Sequence, residues 1–233
     1  MPCVYCNSTK RLSREHVVNA AAFRQTFGEK LSFIVQYDTI GEKDSRVDRI
    51  RDVCERCNNA QLQPYDKAGI QFVSAVRSLQ TPAERPLPFD RNVLGWLLKT
   101  HLNILRKYGR RQPCIVDQRI YESLLHKQPV SPELFRLVLC VFNEDIKRFE
   151  TRHGTLPLTW KIVTAEYETP RIMRSYFRME HLETFLYLPS DAKYDAFAER
   201  VRTLLSKVYP DPSKVTFFDI EGVVRLGSIV MAR

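Results

Sequence analysis

Apolar residues recur at helical spacing along VLGWLLKTHLNILRKYG, residues 93–109: Leu94, Leu97, Leu98, Leu102 and Leu105 share a face with His101, and Gly109 closes the run. This pattern predicts a core helix in which His101 is a satisfied core histidine. A second such face, Tyr194, Phe197, Val201, Leu204, Leu205 and Val208 behind Ser190 as N-cap, predicts an amphipathic helix from Ser190 to about residue 210. Between the two, LFRLVLCVF (134–142), LTWKIV (158–163), IMRSYFRME (172–180) and ETFLYLP (183–189) are rich in β-branched and aromatic residues and read as strands. Upstream, LSFIVQYD (31–38) and RVDRIRDV (46–53) read as short strands around a turn at Gly41. CERCNNAQLQ reads as helical up to Pro64, and a further helix as running from Tyr65 to about Val76. Pro82, Pro86 and Pro88 interrupt the periodicity and mark a linker at roughly residues 79–90, dividing residues 1–78 from an α+β region, 79–233.

With 44% hydrophobic residues in 233, the chain can bury a substantial core, which excludes disorder of the whole. No apolar run reaches membrane-spanning length, and the N-terminus opens on cysteines rather than on a basic then apolar stretch, so a soluble cytoplasmic protein is expected. Lys and Arg outnumber Asp and Glu by 36 to 27, a formal charge of +9, which favours a polyanionic partner without identifying it.

The cysteines carry the chemistry. Cys3 and Cys6 are separated by two residues, as are Cys54 and Cys57, a layout suited to four thiolates around one tetrahedral zinc. A closed site of this kind leaves no coordination position for a substrate, so the zinc is structural and reactivity falls to its neighbours. The metal brings Glu15 and His16, between the pairs, close to Asn58, directly after the last cysteine. A hard cation prefers oxygen donors such as the Glu15 carboxylate and the Asn58 amide, while His16 is of a type that deprotonates water. Read plainly, Glu15 and His16 are a surface ion pair and Asn58 a helix cap. Cys114 and Cys140 stand alone and read as buried thiols.

C-x-x-C, then Glu-His, then C-x-x-C-N over roughly the first 70 residues resembles the zinc-containing HNH, or ββα-metal, endonucleases, including the phage junction-resolving type. The resemblance implies a zinc-stabilised, treble-clef-like ββα module over residues 1–78, with His16 as general base. It makes Glu15 and Asn58 the ligands of a catalytic Mg²⁺ or Mn²⁺, gives Asn59 and Asp66 supporting roles, and implies hydrolysis of phosphodiester bonds in DNA. Arg49 stands where many relatives carry an Asn that braces the loop holding the base. The alternative is a zinc module that binds nucleic acid or a protein partner without cutting, or a nuclease active only within a bacterial defence complex. The expected partner is DNA, with RNA, a protein of a defence or mobile-element system, and a second copy of the chain as the others; no membrane is expected. Arg106, Lys107, Arg110, Arg111, Arg171 and Arg174 are candidate phosphate contacts, although Arg106–Arg111 also reads as the solvated end of a helix. Residues 79–233 are expected to serve substrate positioning, dimerisation or partner docking.

Overall fold

The computed structural model describes residues 1–19, 21, 49–78, 89–108, 116–142, 148–151, 154–157, 163–169, 172–179, 182–188, 203 and 215–221. The expected strand at 31–38, the turn at Gly41, all of the linker but Phe89 and Asp90, all of the expected strand at 158–163 but Val163, Cys114 and all but one residue of the expected helix at 190–210 lie outside them.

The first element, β1 (Leu12–His16), pairs antiparallel with β2 (Arg49–Cys54), the register shifting between Ser13 and Glu15. A π-helical turn (Cys57–Gln61) leads into helix α1 (Gln63–Ser78). Pro64 therefore lies inside the first helical turn rather than ending a helix, because that turn has no need of its missing N–H. Helix α2 (Arg91–Tyr108) is the expected core helix, opened by Asp90, whose carboxylate accepts from the Val93 N–H at 2.9 Å. Helix α3 (Gln118–His126) was not foreseen; Asp117 caps it and Lys127, at φ 56°, ends it.

The second half carries a five-stranded antiparallel sheet in the order β6 (Val163–Thr169), β7 (Ile172–Met179), β8 (Leu182–Leu188), β3 (Arg136–Phe142), β9 (Val215–Glu221). A separate short hairpin joins β4 (Arg148–Thr151) to β5 (Gly154–Pro157). The mixed α+β architecture expected from the sequence is what is seen; β9, the small hairpin and β6, which shares only Val163 with the expected strand at 158–163, are additions.

One apolar cluster runs from Cys3 and Tyr5 through α1 and α2 to Leu186 and Leu188, so α2, from the second segment, packs directly on the first. Helices α1 and α2 approach closely enough that each lodges an aromatic ring over a glycine of the other. A Cβ on Gly69 would overlap the Trp96 ring, and one on Gly95 would overlap Tyr65. This reciprocal fit fixes how α2 is rotated and therefore where its polar residues point.

On the sheet side, α2 presents His101, with Nδ1 2.6 Å from Ser175 Oγ and Nε2 2.8 Å from Thr184 Oγ1, all buried. Burial pushes its pKa down to about 3. Since an unfolded histidine titrates near about 6.5, this neutral imidazole contributes stability that is complete above that value and is lost as pH falls toward about 3. Thermal melts at pH 7 and pH 4.5 check this: wild type should lose more stability between the two than His101→Gln, and equal losses would refute it.

Candidate metal centre and nucleic-acid face

The knuckle around Cys3 and Cys6 is shaped by its backbone: the Asn7 N–H donates to the Cys3 carbonyl and the Cys3 N–H to the Ser8 carbonyl, each at 2.8 Å. Asn7 takes a left-handed conformation, φ 56°, which Asn tolerates better than most residues. The Val4 N–H then donates to the Asp52 carbonyl at 2.9 Å, laying the knuckle against β2. Cys54 ends β2 and Cys57 begins the π-helical turn, so a strand end and a helix entry supply the other two thiols.

The four sulfurs lie within 4.8 Å of one another, and Cys6 Sγ is 3.7 Å from Cys54 Sγ. A tetrahedral zinc with ordinary Zn–S bonds separates its sulfurs by about 3.8 Å. The tetrad therefore fits a structural metal such as zinc, and these four cysteines form no disulfide. Burial, with Cys6 and Cys54 close by, pushes the Cys57 thiol up, so loading a metal must release protons.

The residues expected to do chemistry are each tied to a protein partner. Glu15 is only 2% exposed, and its Oε1 lies 2.9 Å from Lys99 Nζ and accepts from Asn103 Nδ2 at 3.2 Å, both from α2. Desolvation is the largest influence and pushes the Glu15 carboxyl up; attraction to Lys99 and Arg106, with hydrogen bonds from Lys99 and Asn103, outweighs it and holds the group ionised below its ordinary range. Lys99 also grips Asp66 of α1, at 2.7 Å to Oδ1 and 2.8 Å to Oδ2. Its burial favours loss of the proton, but Glu15 and Asp66 more than compensate and its pKa is raised.

His16 lies half-buried with Nε2 accepting from Arg49 Nε at 3.2 Å. Asn58 turns its amide Nδ2 to Ser13 Oγ at 3.0 Å, which ties the helix entry to β1. The Glu15 oxygen Oε1 that a catalytic divalent ion would need is thus held by an ammonium and an amide of α2.

No known family, curated protein or solved structure matches the chain. What the site does must be argued from its own residues.

The candidate phosphate contacts separate clearly. Arg106 is not at the surface: its side chain is 9% exposed, Nε lies 2.9 Å from Asp52 Oδ2, and the guanidinium sits 5.8 Å and 5.7 Å from the ring centres of Tyr5 and Tyr121. The pull of two aromatic rings and two carboxylates on one cation overrides the solvated position that the basic run implied. Lys107 Nζ donates to the Arg49 carbonyl at 3.2 Å, and Arg174 stands on β7 opposite Glu166 and Tyr187. Arg110, Arg111 and Arg171 lie outside the described residues.

Exposed cations lie elsewhere. Lys10, Arg11, Arg14, Arg49, Arg51 and Arg56 line β1, β2 and their ends, and among residues 10–16 and 49–56 the one exposed carboxylate is Glu55, which pairs with Arg11 at 3.2 Å. Strand alternation could have found this face: Arg14 between buried Glu15 and part-buried Ser13, and Arg49 and Arg51 flanking buried Ile50, follow the period of two. Among the described residues no helix is long and apolar enough to cross a membrane.

Proposed function

We propose that this chain is a zinc-held ββα module of the HNH type that binds nucleic acid along its phosphate backbone and does not cut it. The observation that carries this reading is the Lys99 ammonium 2.9 Å from Glu15, in the place where cleavage would need a divalent ion. Arg49 on His16 points the same way, since the imidazole nitrogen that would take a proton serves an internal contact. The exposed arginines of the β1–β2 hairpin supply the attraction for phosphate, so binding is sensitive to salt and, resting on the backbone, insensitive to sequence.

Two measurements test it. In titrations of labelled DNA duplexes of unrelated sequence, Arg14→Ala combined with Arg51→Ala should weaken binding by a similar factor on each and reduce the slope of log affinity against log salt by about 2. An unchanged slope would remove the hairpin from the interface. In parallel, wild type and His16→Ala are incubated with supercoiled plasmid and Mg²⁺, Mn²⁺ or EDTA; neither should nick DNA.

A second reading rests on His16 itself, partly exposed on the basic face with Nε2 held as an unprotonated acceptor. Released from Arg49, that nitrogen would take the proton of an attacking water, and the protein would be a phosphodiester hydrolase. Metal-dependent nicking by wild type, lost in His16→Ala while zinc is retained, would establish cleavage and displace the binding reading.

A further inference from the structure

The carboxylates of Glu15 and Asp66 belong to different elements, β1 and α1, yet both close on one point, the Nζ of Lys99. Three oxygens lie 2.7 to 2.9 Å from that nitrogen. Lys99 is 4% exposed and Glu15 2%, so the group is a buried cation position built from oxygen donors, with a tethered ammonium as its occupant. The pair is also more acidic than Lys99 alone requires. Glu15 Oε2, buried beside the bonded Oε1, has no hydrogen-bond partner, and Arg106 Nη2 stands 3.8 Å from it.

We propose that Glu15 and Asp66 form a divalent-cation site that Lys99 keeps closed, and that the site takes up a hard divalent ion once the ammonium is removed. The physical reason is substitution of like for like. Two carboxylates converging on one point in a largely buried space require a positive charge, and carboxylate oxygens are the donors that a hard ion such as Mg²⁺ or Mn²⁺ prefers once the position is vacant. The closure also works across the chain: the anions come from the zinc-bearing segment and the cation from α2, so Lys99 locks the two together. The inference deepens the non-cleaving reading and rests on the same ion pair. It is tested by metal uptake, whereas that reading is decided by nicking and DNA binding, so the two can fail separately.

The probe is Mn²⁺, followed by electron paramagnetic resonance and by thermal melting, on full-length protein carrying its zinc. Wild type should take up no Mn²⁺ at this site, and its melting temperature should not respond to the ion. Lys99→Met, which keeps the length of the stem and removes the charge, should bind one Mn²⁺ per chain and melt higher with the ion than without it. Adding Asp66→Asn to that variant should abolish both effects. If Lys99→Met does not fold alone, recovery of folding on adding Mn²⁺, but not an equal charge of Na⁺, supports the proposal, and failure to recover overturns it. Uptake of one Mn²⁺ by wild type that is lost in Asp66→Asn would equally overturn it, because the ammonium would then not close the site. So would a folded Lys99→Met protein that binds no Mn²⁺ at millimolar concentration.

Discussion

Cys54→Ser is expected to lose the metal and unfold the N-terminal module at temperatures where wild type is intact. Cys54 is 3% exposed, ends β2 and stands 3.7 Å from Cys6, so its thiolate joins the knuckle to the hairpin and, through Cys57, to the entry of α1. Structural zinc contributes about 10–16 kcal/mol of apparent binding energy in small domains, which matches or exceeds the about 5–15 kcal/mol by which a whole domain is ordinarily stable. Few other attachments could replace it, because β1 and β2 form only a two-stranded sheet. The effect should spread beyond the knuckle. Cys3, Cys54 and Cys57 belong to the same buried cluster as Tyr5, Val53 and Leu62, so releasing the metal opens the core beneath α1. Zinc content and thermal melting, measured for the variant and for wild type treated with a strong chelator, provide the check. Both should lose the module's transition, whereas His16→Ala should keep its zinc and melt within about 1 kcal/mol of wild type, as expected for a partly exposed residue outside the tetrad. A chelated wild type with an unchanged melting temperature would mean that the cysteines are not the fastening.

How far the fold was legible depended on whether a segment's partner was local. Helix α2 was legible because Leu94, Leu97, Leu98, Leu102 and Leu105 set its period by themselves, and β3, β7 and β8 because their β-branched and aromatic runs fit no other pleated surface. Strand β1 was not: Leu-Ser-Arg-Glu-His has one apolar residue in five and is extended only because β2 and the cysteines hold it. Helix α3 is short and weakly apolar, though Asp117 as cap and Ile120 with Leu124 one turn apart are signals that a closer reading of period would have caught. In the site, the tetrad could be read from spacing, since two C-x-x-C pairs need no third party. The partners of Glu15 could not. Lys99, Asn103 and Arg106 recur at i, i+4 and i+7 on α2, a stripe that resembles a solvated face. It is buried because α2 turns the stripe onto the cysteine-bearing module, in a packing with α1 that leaves no room for a side chain at Gly69 or Gly95. A charge stripe opposite an apolar one carries no sign in the sequence of whether water or another segment will cover it.

That stripe makes Arg106→Met the second substitution with a large expected effect, and its direction separates a structural cation from a phosphate contact. Arg106 faces Asp52 at 2.9 Å and Glu15 at 3.8 Å, donates to the Asn103 side chain at 2.6 Å, and lies beside the rings of Tyr5 and Tyr121. Desolvation works against the guanidinium, but Tyr121, Tyr5, Asp52 and Glu15 outweigh it and hold the group charged. Removing the charge leaves two carboxylates with less compensation in a buried layer, and breaking such a pair from one side costs about 3–5 kcal/mol. Methionine refills most of the volume, so the loss that remains is electrostatic rather than a cavity. Arg106→Lys should recover only part of it, because a compact ammonium cannot stay beside both rings while reaching Asp52 and Asn103. Urea titration supplies the stability difference, with the midpoint shifted and the slope unchanged. DNA titration at low temperature, where Arg106→Met remains folded, supplies the other half: affinity and salt slope should equal those of wild type, in contrast to the loss expected for Arg14 and Arg51 on the outer face. A variant as stable as wild type but weaker on DNA would return Arg106 to the nucleic-acid surface. A variant that is unstable yet binds normally assigns its charge to holding α2 on the cysteine-bearing module, which is the arrangement that also carries Lys99 to Glu15.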